Sequence, residues 1–154
     1  MIQRIQTIWL TIITVLSSLL CFGTIFSLTD EAKNSFSLEF EGIYKNSPGS
    51  HDLINGTPLV AMLLILISFL SIIALLLFKK RKMQMKAVLV LIFFSLSLLG
   101  LLVYYYLYII NTYNAKPDNG IKMFLPLIIF ILGLLAYSGI LKDEKLIRSY
   151  DRLR

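Results

Sequence analysis

Charge is missing from the long apolar stretches of this chain. Residues 5–28, 58–78, 87–110 and 123–141 contain no Asp, Glu, Lys, Arg or His. Ion-coupled carriers, proton relays and voltage sensors place such groups within the membrane, so their absence weighs against those roles. Hydroxyl and backbone groups can still bind ions, which leaves transport by that route open. Cysteine is nearly absent too: Cys21 stands alone, which excludes an intramolecular disulfide. His51 is the one histidine, and no second histidine or neighbouring thiol completes a zinc site around it. There is no G-x-x-x-x-G-K, H-E-x-x-H, C-x-x-C or G-x-S-x-G. The expectation is a protein that is not an enzyme, with no catalytic residues, no cofactor and no metal.

What the chain has in excess is apolar side chains. Of its 154 residues 57% are hydrophobic and 16% charged, whereas soluble domains carry about 25% charged residues. The four uncharged runs are each long enough to cross a bilayer as helices, at about 1.5 Å of rise per residue against a core of about 30 Å. The expected fold is therefore an all-α integral membrane protein, a single domain built as a four-transmembrane-helix bundle. Its spans fall at about 5–28, 58–78, 87–110 and 123–141. Its outer loops are 29–57 and 111–122, its inner loop 79–86 and its tail 142–154. The first run is too long for a cleaved signal peptide, and Leu20 stands before Cys21 where a lipoprotein signal needs a small residue.

The basic residues orient this plan. Lys79, Lys80, Arg81, Lys82 and Lys86 sit between the second and third runs without a neighbouring acid. Lys and Arg beside a span resist translocation. With Arg4 and the tail cations Lys142, Lys145, Arg148, Arg152 and Arg154 also inside, only Lys33, Lys45, Lys116 and Lys122 lie outside. Both termini are thus expected in the cytoplasm. The net charge of +6 flanks apolar runs and lines no soluble helix face, which favours the bilayer and its anionic headgroups over nucleic acid.

Polar residues inside the spans are candidates for packing or for a track. Gln3, Thr7, Thr11, Thr14 and Ser18 recur at helical spacing on the first run, and small hydroxylated residues permit close helix approach in lipid. Ser97, Gly100, Tyr104, Tyr108 and Asn111 share a face of the third run and are expected on its interhelical side. Thr57-Pro58 is expected to open the second helix, with Thr as N-cap and Pro at the first turn.

In the outer loop Phe36, Leu38 and Phe40 alternate with Ser37, Glu39 and Glu41, the period of a half-buried strand. Asn46-Ser47-Pro48-Gly49 signals a turn, and Leu53-Ile54 admits a second short strand, hence a short β-hairpin. Glu39 and Glu41 are read as a solvated strand face. Tyr104, Tyr105, Tyr106 and Tyr108 read as an interfacial aromatic belt. In the tail, taken as a helix, Leu146, Ile147, Tyr150 and Leu153 gather on one side with Arg148 and Arg152 beside them. Such a surface suits a partner protein or a headgroup layer.

Met1-Ile2-Gln3-Arg4-Ile5-Gln6-Thr7 at one end, and the run Lys142-Asp143-Glu144-Lys145-Leu146-Ile147-Arg148-Ser149-Tyr150-Asp151-Arg152-Leu153-Arg154 at the other, resemble the ends of the domain-of-unknown-function family 4293. The layout between them is similar as well. The resemblance implies a small bacterial inner-membrane protein with four predicted spans, and brings no activity, substrate or site residue. The function expected is an accessory or scaffold subunit whose basic tail docks a partner or the anionic membrane surface. The alternative is a small transporter or channel using the polar stripe of the first run.

Overall fold

The computed structural model describes residues 5–30, 34–47, 50–118 and 120–151, with side chains as far as Glu144 at the C-terminal end. Gln3 therefore lies outside the described residues, as do the side chains of the tail. Among the described residues four α-helices are present: α1 (Ile5–Leu20), α2 (Pro58–Leu76), α3 (Arg81–Tyr113) and α4 (Leu125–Asp151). Each packs against its neighbours in chain order, and α4 closes the ring on α1. Among the described residues three helices are long and apolar enough to cross a membrane: Pro58–Leu76, Arg81–Tyr113 and Lys122–Glu144. They point to a membrane protein.

The first run departs from the expected four-span, all-α plan. Over the described residues helix α1 has 16 residues and so extends about 24 Å, short of a hydrocarbon core of about 30 Å. It ends because the chain turns at Cys21–Thr24, where Gly23 takes φ +70°, a left-handed conformation that costs least without a Cβ. Beyond the turn the pattern changes period. Phe26 and Leu28 are buried while Ser27 and Thr29 are half-buried, which is strand β1 (Phe26–Thr29). Hydropathy alone merges the two segments because both are apolar.

A five-stranded antiparallel sheet replaces the expected short hairpin. Strands β1, β2 (Ser35–Leu38), β3 (Gly42–Ser47), β4 (Ser50–Gly56) and β5 (Lys116–Pro117) lie in the order β4-β3-β2-β1-β5. Phe26 stands opposite Leu38, and Leu28 opposite Phe36. Ile43 in turn faces Leu38, so one face of the sheet is apolar and buried. That face leans on the upper turns of α3. Phe26 meets Tyr106 edge-on at 5.6 Å, and Phe36 stacks on Tyr113 at 4.3 Å. The 33 residues of α3 reach about 50 Å, and the sheet occupies the room beside them that the short α1 leaves. Phe40, Glu39 and Glu41 form the β2–β3 turn and are not part of a strand.

Two further boundaries differ from expectation. The central basic stretch is not a loop over 79–86: a 3-10 turn (Leu77–Lys79) runs to Lys80, and α3 already begins at Arg81. At the far end α3 continues to Tyr113 and is stopped by Asn114 at φ 48°, a left-handed position that Asn tolerates. A second 3-10 turn (Ile121–Phe124) leads into α4.

The core runs along one stripe of each helix at alternating steps of four and three. On α2 it is Val60, Leu64, Ile67, Ser71 and Ala74, and on α3 Gln84, Val88, Leu91, Ser95, Leu98 and Leu102. Helix α1 contributes Gln6, Leu10, Ile13, Ser17 and Leu20, and α4 Ile129, Gly133, Ala136 and Ile140. This near-3.5 spacing is that of helices packed at shallow angles. The face expected to pack on α3 instead points outward: Ser97, Gly100 and Asn111 are exposed, Tyr104 is 60% and Tyr108 39% exposed, and a Cβ on Gly100 would meet nothing within 4 Å.

Candidate functional site

Thr14 is the member of the expected α1 stripe that reaches another helix. Its Oγ1 is 2.9 Å from Ser71 Oγ on α2 and also bonds the Leu10 carbonyl. Thr7, Thr11 and Ser18 are exposed. Thr11 donates to the Thr7 carbonyl and Ser18 to the Thr14 carbonyl, so their donors are spent on their own helix. The second cross-helix bond comes from a residue outside that stripe: Ser68 Oγ donates to the fully buried Ser17 Oγ at 2.9 Å. Ser17 was legible through its spacing from Leu10, Ile13 and Leu20, a stripe one residue away from the one that polarity suggested. The result is a hydroxyl seam joining α1 to α2.

A denser polar group lies at the end of the molecule away from the sheet. Gln6, 6% exposed, donates through Nε2 to Oδ2 of Asp143 on α4. Its stem lies across Gly139, where a Cβ would come within 2.9 Å of Gln6 Cγ. Gly139 is thus what lets α1 close on α4. Arg81, the first residue of α3, donates through Nη1 to the Asp143 carbonyl at 3.3 Å. Gln84, one turn on and 3% exposed, donates through Nε2 to the Ala74 carbonyl at 3.0 Å. That carbonyl is one of the last four of α2, which have no partner within their own helix.

These bonds make a polar knot from all four helices. The start of α1, the α2–α3 turn and the start of the tail meet at one end of the molecule, and Lys80, Lys82, Lys86 and Lys142 are exposed around them. Neutral amides reach the buried positions while the ammonium groups stay in water, as burial costs dictate. The tail candidates Leu146, Ile147, Arg148 and Tyr150 fall on the backbone of α4, which is continuous to Asp151. Their side chains, and Arg152 and Leu153 entirely, lie outside the described residues.

The sheet end carries different chemistry. His51 is exposed on β4, stacks on Tyr44 at 4.3 Å and is bonded through Nδ1 to Asn46 Oδ1. Tyr44 donates to Glu41 Oε2 at 3.2 Å. Partial burial, that hydrogen bond and the negative charges of Glu41 and Glu39 push the Tyr44 phenol above its usual pKa. Burial likewise raises the Cys21 thiol, which makes it a poor nucleophile. Among the described residues no group of three His, Cys, Asp or Glu could hold a metal ion. Thr57 precedes α2 as expected but makes no side-chain cap: its Oγ1 is buried without a partner, while its carbonyl accepts from Val60 and Ala61.

No curated protein matches the chain. A family model described as a domain of unknown function, DUF4293, matches residues 2–153, and the chain belongs to that family.

Proposed function

We propose that this protein is a non-enzymatic accessory or scaffold subunit of the bacterial cytoplasmic membrane, with the knot end in the cytoplasm and the tail of α4 as its docking element. The observation that carries this reading is the knot itself. Gln6, Arg81, Gln84 and Asp143 tie together the three segments that bear most of the chain's cations. The sheet end carries Lys45, Lys116 and Lys122 against Glu39, Glu41, Asp52 and Asp118. Fixed cations on one side of a bilayer hold that side inside the cell and draw anionic headgroups or an acidic partner. Use of the α1 stripe as a track for a substrate draws less support, because the hydroxyls of Thr11, Thr14 and Ser18 are bonded to their own helix or to Ser71.

Two measurements test the proposal. A reporter active only outside the cytoplasm, fused after Arg154, stays silent if the knot end is inside. A photo-crosslinking residue at Ser149 in intact cells captures one protein or lipid headgroups, and capture of a protein is lost when Leu146 and Ile147 are changed to Ser. An active reporter, or crosslinks that are diffuse and unchanged by those substitutions, overturns it.

A further inference from the structure

A groove opens on the flank of the molecule where the chain leaves α1 and enters β1. Ile25, Phe26, Leu99, Leu102, Val103 and Met123 line it, and its volume is about 40 Å³. Ile25, Phe26 and Leu102 are its buried floor, while Val103 is 51% exposed and marks its open side. All six side chains are apolar, and a bound water needs two to four polar partners that they do not offer. The α3 residues belong to a helix long and apolar enough to cross a bilayer, and an apolar open side on such a helix suits hydrocarbon.

A cation adjoins one of these lining residues in the chain. Lys122 immediately precedes Met123, and its Nζ donates to the Phe22 carbonyl at 3.0 Å. The same nitrogen lies 3.4 Å from the place a Cβ on Gly23 would take. One ammonium donor is used there, and the group has three. Phe22 and Phe124, close to these residues in the chain, are 75% and 64% exposed. Cavities that accept benzene are of the order of 150 Å³, so this groove suits a stretch of narrow chain and not a ring.

We propose that the groove holds one acyl chain of an anionic phospholipid, with its phosphate against the ammonium of Lys122. The site lies at the sheet end, away from the basic knot, and is independent of what the tail docks. Full-length protein is reconstituted with equal phosphatidylglycerol and phosphatidylethanolamine, washed extensively in mild detergent and weighed by native mass spectrometry. The wild type is expected to keep one phospholipid per chain, at least fivefold enriched in phosphatidylglycerol. Val103→Trp, which fills the groove from its open side, is expected to lose it. Lys122→Gln is expected to keep a phospholipid but lose the enrichment. If circular dichroism shows that Val103→Trp does not fold, Val103→Phe replaces it. A wild type that retains no phospholipid or both kinds equally, or a folded filled variant that retains as much as the wild type, overturns the assignment.

Discussion

Substituting Ala at Gly139 and at Gly100 should move stability in opposite directions. In a helix interior Ala is favoured over Gly by about 1 kcal/mol. At Gly100 nothing opposes that gain, since the added Cβ meets no atom within 4 Å, and Gly100→Ala is expected to stabilise by up to about 1 kcal/mol. At Gly139 the Cβ would lie 2.9 Å from Gln6 Cγ. That atom is mid-chain, so Gln6 must swing away and release Asp143. A hydrogen bond to a charged group contributes about 1.5–3 kcal/mol. Losing it outweighs the helical gain, and Gly139→Ala should destabilise by about 1 kcal/mol. For a chain of this length that is a fall of about 2–4 °C in Tm. The assay is thermal unfolding in mild detergent, followed by circular dichroism and by the single Trp9 on α1. The decisive step is a cycle: with Gln6→Ala already present there is no stem to displace, and Gly139→Ala should become stabilising. If Gly139→Ala stabilises the otherwise unaltered chain as much as Gly100→Ala does, the knot is not the constraint described.

Other sites give sharp expectations. Thr57→Val keeps the shape and removes a buried hydroxyl without a partner. It should raise stability by about 1 kcal/mol or more, seen as a higher Tm in the same assay. Gln84→Leu leaves the Ala74 carbonyl unpaired in a buried place, and a loss of about 1–3 kcal/mol is expected in denaturant titrations. Ser17→Ala and Ser68→Ala, combined in a double-mutant cycle, should show a coupling of about 0.6 kcal/mol, the size measured for bonds between membrane helices. The raised Tyr44 phenol sets a pH dependence at the sheet end. Its protonated form is the donor to Glu41, so its contribution is complete below the unfolded value near 10 and lost as pH rises through the higher folded value. Glu41→Gln should bring the Tyr44 titration down, read as the ultraviolet difference against Tyr44→Phe.

The contrast between the two glycines also marks the reach of the sequence. Ser97 and Gly100 share a helix face with Tyr104 and Tyr108, and by composition that face resembles a packing surface. In an aqueous domain the buried side of a helix is the apolar side. In a run that is apolar all round, lipid-facing and helix-facing residues are chemically alike. The seam of α3 lies instead at Gln84, Val88, Leu91, Ser95 and Leu98, where only Gln84 and Ser95 stand out. On α1 the same ambiguity placed the stripe at Gln3, Thr7, Thr11, Thr14 and Ser18, one position away from the buried Ser17.

Local chemistry was enough to indicate the membrane character, the start of α2, the block of cations around Lys80 and Arg81, and the hairpin turn near Ser47. Each follows from hydropathy, Pro at a first turn or charge beside a span, and each is decided within a window of a few residues. Three things depended on the folded chain: the division of the first apolar run into α1 and β1, the growth of a hairpin into a five-stranded sheet, and the meeting of Gln6 with Asp143. The first depends on a turn at Gly23 and on the protruding end of α3 that β1 covers. The last joins residues 137 positions apart. Hydropathy is a sum over neighbours in sequence, whereas these features depend on which surfaces the other helices leave uncovered.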